Sequence, residues 1–193
     1  MGFRRVFAFG SLMISLVMMI DAGSASAFEQ NPTFPAYGSG PVEVRLYTDY
    51  FCPPCRVMEP EVEPLLKDLL KKNAIHLTLV DAPFNPLSPL FARNFLYAIK
   101  QSNALEEALK ARNVLQNAAT NKEIKTQEQI AALFKEKGIA FSVWDPKPAF
   151  DRYNALLTED KINATPTIVI IRNGQRKSFV GGPDIISALK ALP

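Results

Sequence analysis

Cys52 and Cys55 are the only thiols in a chain of 193 residues, and Pro53-Pro54 is all that separates them. Two cysteines at this spacing can close a small disulfide ring and reopen it. At a helix start, unpaired N–H groups and the helix dipole favour a thiolate. Cys52 falls at the N-cap of an amphipathic stretch, and Pro53 suits the first helical position because its missing N–H would have had no partner there. Cys52 is therefore the exposed nucleophile and Cys55, inside the first turn, the resolving thiol. Pro53 and Pro54 bring no N–H of their own, which leaves the Cys55 N–H, the dipole and Arg56 to support a Cys52 thiolate.

The competing readings of such a pair are a structural disulfide or a metal site. A bridge across four residues would constrain little of the unfolded chain. With no second cysteine pair and a single histidine, the four protein ligands of a structural zinc are not supplied. His76 alternates on a predicted strand and reads as an ordinary strand histidine; a Cys-His protease pair would require it as partner. Trp144, Phe141 and Phe150 read as packing residues, and Asp145, Glu159 and Asp160 as solvated acids rather than catalytic ones.

The composition, 48% hydrophobic and 21% charged, is that of an ordinary globular chain. A net charge of +3, with no Lys/Arg run longer than two, leaves no electrostatic footprint for nucleic acid, and phosphate-cradling glycine loops are absent. Arg4 and Arg5 precede an apolar stretch at residues 6–20, followed by Ala25-Ser26-Ala27: the layout of a secretory signal peptide over residues 1–27. The fifteen-residue apolar run is shorter than the roughly 20 residues that span a bilayer. Export to an oxidising compartment is the setting in which a close cysteine pair holds a disulfide.

Residues 28–41, rich in Pro, Gly and polar side chains, read as an arm with Phe34 and Tyr37 as docking points. The domain proper is expected over residues 42–193. A strand at 42–47 leads into the cysteine helix, whose apolar face is Met58, Val62, Leu65 or Leu66, and Leu69, and a second strand follows at 76–80. Residues 88–160 read as helical throughout, with stripes at Phe91, Phe95, Ala98 and Ile99 and at Leu105, Ala108, Leu109 and Leu115. A Thr126/Gln129 capping box stands ahead of Ile130, Gly138 closes that helix, and Pro146 and Pro148 break the chain before a short helix near 150–157. Strands at 167–171 and 176–180 flank an Asn173-Gly174 hairpin turn, and a final helix follows. Sheet elements at both ends make the helical block an insertion into one α/β domain.

Tyr47-Thr48-Asp49-Tyr50-Phe51-Cys52-Pro53-Pro54-Cys55 resembles the active-site segment of the thioredoxin superfamily, in its exported DsbA-like branch. Pro60 matches the proline that kinks the family's active-site helix. Ala164-Thr165-Pro166-Thr167 resembles its cis-proline loop, and the helical block its insertion between the second strand and that loop. The resemblance implies a thioredoxin-like α/β fold and a thiol-disulfide oxidoreductase that needs no cofactor or metal. It implies cysteine-containing client proteins, a separate redox partner, and a groove beside Thr165-Pro166 for an extended peptide, with Pro53 and Pro54 as active-site support. The family's buried acid six residues before the first cysteine is replaced by Leu46, so Asp49, Glu43 or a water takes over its proton transfer, or that transfer is slower. A non-catalytic binding module with an inert disulfide is the alternative, and reduction of apocytochrome cysteines would keep the chemistry with another client. The leader layout predicts that mass spectrometry of extracytoplasmic material finds Phe28 at the N-terminus; an intact Met1 on a membrane-bound product would support an anchor instead.

Overall fold

The computed structural model describes residues 1–2, 33–120 and 124–193, so the leader expected at 1–27 lies almost wholly outside the described residues. The elements run β1 (Ala36–Tyr37), β2 (Val42–Thr48), α1 (Pro53–Lys71), β3 (Ile75–Asp81), α2 (Ser88–Gln101), α3 (Leu105–Ala118), α4 (Gln127–Glu136), α5 (Lys147–Glu159), β4 (Thr167–Arg172), β5 (Gln175–Val180) and α6 (Gly182–Lys190). The strands form one sheet in the order β1-β3-β2-β4-β5, with β2 parallel to β3 and antiparallel to β4. This is the α/β, thioredoxin-like fold, and α2 to α5 fill the interval between the strand β3 and the loop that precedes β4.

β2 is central and covered on both faces, which is why Val-Glu-Val-Arg-Leu-Tyr-Thr is buried at nearly every position rather than alternating with solvent. Val44 pairs in register with Ile170, and Ile170 faces α6. On the opposite face, Tyr47 donates to the Leu156 carbonyl of α5. Each wholly buried large apolar side chain in this core, such as Leu46, Ile75, Phe91 or Phe134, contributes about 1.5–3 kcal/mol.

The segment read as an arm joins the sheet: Ala36 and Tyr37 pair antiparallel with Thr78 and Leu77, and Phe34 and Tyr37 are buried. Two residues are too few to show an alternation. Residues 88–160 are not helical throughout, because a non-helical stretch at 139–146 separates α4 from α5. Pro148 does not break the chain. It sits in the first turn of α5, where a proline costs no hydrogen bond. The Thr126/Gln129 capping box forms as expected. Asp160 is not solvated: its side chain is fully buried and accepts from Tyr47, Arg45 and Arg176, tying the end of α5 to β2 and β5. Trp144 is a packing residue whose Nε1 donates to the Leu96 carbonyl. His76 is half-buried in β3, and burial lowers its pKa.

Gly40 enters β2 against the backbone of the α1–β3 turn. A Cβ there would lie 2.3 Å from the Ile75 nitrogen and 2.4 Å from the Ala74 carbonyl carbon. Backbone cannot yield as a side chain does, so Gly40→Ala is expected to cost about 1–3 kcal/mol in urea denaturation. An unchanged midpoint would refute this account of the glycine.

Candidate active site

The ends of the parallel strands β2 and β3, the end of β5 and the start of β4 all lie on one edge of the sheet, and α1 begins there. Cys52 is the N-cap of α1, with φ −85° and ψ 109°. Its Sγ accepts from the Cys55 N–H at 3.2 Å, and a disulfide joins the two cysteines, with Cα atoms 5.3 Å apart. Cys52 is partly exposed, whereas Cys55 is fully buried. Pro53 and Pro54 are exposed on the first turn. The Arg56 guanidinium donates to the Tyr50 carbonyl.

The second chain segment at the site arrives from 113 residues away. The Thr165 carbonyl oxygen lies 3.4 Å from Cys52 Sγ, a distance across which a reduced thiol can donate. The Thr165–Pro166 peptide bond is cis. The loop is held by the Gly181 N–H on the Pro166 carbonyl and by the Thr167 hydroxyl on the Ala164 carbonyl. Cys52, Cys55, Thr165 and Pro166 are thus brought together. Three exposed apolar side chains belong to the elements that meet here: Val57 on α1, Phe84 after β3, and Val180, the cross-strand partner of Thr167.

The approach to Cys52 is fixed by polar groups whose roles their spacing did not reveal. Asp49 accepts from the N–H groups of Phe51, Phe84 and Asn85 and from the Ser88 hydroxyl. Its carboxylate is therefore a clamp on the loop before α2. Glu43 pairs with Arg45 near the start of β2, at the sheet edge opposite the cysteines. Glu43 is thus far from the cysteines, Asp49 is occupied by the loop donors, and Leu46 is itself core.

Arg112 of α3 is wholly buried beneath this edge. It donates to Asp81 at 3.1 Å and to the Thr48 hydroxyl at 2.6 Å, and lies over the rings of Tyr50 and Phe95. The Tyr50 hydroxyl donates to the other oxygen of Asp81. Burial works against the Arg112 charge, but Tyr50, Asp81 and Glu59 outweigh it and hold the guanidinium protonated. Phe91 packs edge-on to Phe51, with ring centroids 4.9 Å apart. One sign of Arg112 was in the sequence: it continues the stripe of Ala108, Leu109 and Leu115, so an arginine stands where a helix should be apolar.

Residues 31–178 match a protein-family model described as Thioredoxin. Curated protein sequences returned no match. Among solved structures, the chain is similar to a periplasmic thioredoxin-like protein from Salmonella enterica serovar Typhimurium, at 19% identity over 84% of this chain and 93% of that one, with a TM-score of 0.59. It is also similar to the thiol-disulfide exchange protein alpha-DsbA2 from Wolbachia pipientis, at 21% identity over 82% and 84%, TM-score 0.61. The catalytic domain of Proteus mirabilis ScsC matches at 18% identity over 84% and 92%, TM-score 0.57. At these identities the likeness is one of fold. Among the described residues, no helix is long and apolar enough to cross a membrane.

Removing one member of a buried ion pair strands the other. Arg112→Ala is therefore expected to destabilise the protein by roughly 3–5 kcal/mol in chemical denaturation. A loss below about 1 kcal/mol, the range of surface pairs, would show that Asp81 does not depend on it.

Proposed function

Because the chain belongs to the thioredoxin family, we propose that it is an exported thiol-disulfide oxidoreductase that exchanges its Cys52-Cys55 disulfide with cysteines of client proteins. The observation that carries this reading is a partly exposed Cys52 Sγ at a helix N-cap, bonded to a buried Cys55 and 3.4 Å from the Thr165 carbonyl. The asymmetry assigns the roles. A client thiolate reaches Cys52 and attacks its Sγ, a client–Cys52 disulfide forms, and the electron pair of the broken bond leaves on Cys55, which takes up a proton. In the reverse direction Cys55 attacks Cys52 and releases the client. The reduced Cys52 thiolate is supported by the Cys55 N–H and the N-terminus of α1.

Pro53, Pro54, Thr165 and Pro166 form the wall against which a client segment lies, and Val57, Phe84 and Val180 make its surroundings apolar. Such a surface suits extended, unfolded chain rather than a folded polar face. The names of the similar structures, one periplasmic and one a thiol-disulfide exchange protein, agree with this reading, as do the charged and apolar segments of residues 1–27.

The rival reading, a binding module with an inert disulfide, predicts no turnover. Here Cys52 is expected to alkylate roughly tenfold or more faster than Cys55 near neutral pH. Cys55→Ser should accumulate mixed disulfides with client proteins, and Cys52→Ser almost none. Equal alkylation rates would reverse the roles. Absence of adducts and of insulin reduction in every variant would leave the binding module.

A further inference from the structure

Whichever way exchange runs, Cys55 must give up or receive a proton, yet it is fully buried and Leu46 stands where the family resemblance expects an acid. A different carboxylate lies one turn further along the same helix. Glu59 follows Cys55 by four residues on α1, a spacing that sets side chains on one face with Cβ atoms about 5–6 Å apart. Helical side chains lean toward the helix N-terminus, so Glu59 leans over the turn that carries Cys55.

Glu59 is only 7% exposed, and its Oε2 has no hydrogen-bond partner. A buried oxygen without a partner is costly and calls for an explanation. A cavity of about 220 Å³ supplies one, since Glu59 lines it with Arg56, Pro60, Glu63, Asn113, Gln116 and Asn117. That volume holds several waters. The Nε2 of Gln116, which lines the same cavity from α3, also lacks a protein partner, so each helix brings an unmet polar group to this place. Asn117 at the rim is exposed, which opens the cavity to solvent.

We infer that Glu59 and the polar cavity between α1 and α3 form the proton path of the resolving thiol, so that Glu59 accepts the Cys55 proton, directly or through cavity water, and passes it to solvent. This rests on the exchange reading above. The charged groups facing Glu59 are Arg56 and Glu63 on its own helix and Arg112 on α3. Glu63 is engaged by Lys67 and Asn113, and Arg112 by Asp81 of β3. Arg112 in turn lies over the ring of Tyr50 and interacts with Tyr153 of α5. α6 packs on the Met58 side of α1 and sends Asp184 into a separate groove beside Phe179. In the step itself, the Cys55 S–H bond breaks and its proton goes to Glu59. The thiolate then attacks Cys52 Sγ of the mixed disulfide, the Cys52–Cys55 bond forms, and the client sulfur leaves as a thiolate, reduced by the pair of electrons that the cysteines give up.

Stopped-flow reaction of the reduced full chain with dithiobis(nitrobenzoate) separates the two halves. The first coloured thiolate reports attack by Cys52, and the second reports attack by Cys55 on the adduct. Glu59→Gln should leave the first phase unchanged and slow the second by on the order of 100-fold near pH 7. It should also turn a shallow pH dependence of the second phase into a rise of about tenfold per pH unit, because only spontaneous thiolate then reacts. Glu59→Asp should restore the shallow profile, and Asn117→Leu, which blocks the rim and leaves Glu59 in place, should steepen it even if Glu59→Gln folds poorly. A second phase slowed without change of pH slope, or not slowed at all, would overturn the proton path while sparing the exchange reading. Absence of the first phase in the unsubstituted protein would overturn both.

Discussion

The placement of one buried positive charge governs the arrangement of the site. Arg112 comes from the inserted helix α3, yet both hydrogen bonds from its terminal nitrogens go to the ends of sheet strands, Thr48 of β2 and Asp81 of β3. A guanidinium with 1% exposure cannot exchange these partners for water, and a fixed planar fork cannot follow them if they shift. The insertion and the sheet are therefore locked at the edge from which the cysteine helix departs. Apolar residues of equal volume could provide as much stability. What they could not provide is a direction, because dispersion contacts tolerate sliding and a bidentate polar contact does not.

The same logic runs residue by residue along the approach to Cys52. Thr48 is held by Arg112, Asp49 by Ser88 and the backbone of Phe84 and Asn85, and Tyr50 by Asp81, while Phe51 is wedged on Phe91. Four consecutive residues are each tied to an element other than their own. The exposed sulfur sits at the end of a segment with little freedom of its own, and much of the bracing comes from the helical block rather than from the sheet.

The elements that depend on repetition were legible in the sequence: the strand before the cysteines, the apolar face at Met58, Val62, Leu66 and Leu69, the capping box at Thr126, and the hairpin around Asn173-Gly174. The Cys52-Cys55 pair was legible for another reason, since a rare residue type at a telling spacing needs no periodicity. What the sequence hid was whatever breaks its own pattern. Arg112, Glu59 and Asp160 are charges in buried places, and a rule that sends charges to solvent misplaces each of them. Asp49 and Glu43 were both plausible substitutes for the acid absent at Leu46, because sequence distance does not show that one clamps a loop and the other lies at the far edge of the sheet. β1 was hidden by its brevity, whereas the break between α4 and α5 was legible in Gly138 and Pro146, which bound it.

The carbonyl of Thr165 beside Cys52 has a consequence for when, during the life of the chain, the site exists. The cysteines occur early in the sequence, but the wall opposite them is made by a loop that is synthesised more than a hundred residues later, and it is fastened through Gly181, almost at the C-terminus. Closing so long a loop is among the slower events of folding, because its entropy must be lost before its contacts form. A nascent chain therefore carries both thiols before the wall that faces them exists. Completion of the last hairpin adds the Thr165 wall to a pair that the start of α1 has already made unequal, so the finished groove, rather than the thiol asymmetry, reports that the whole chain has folded.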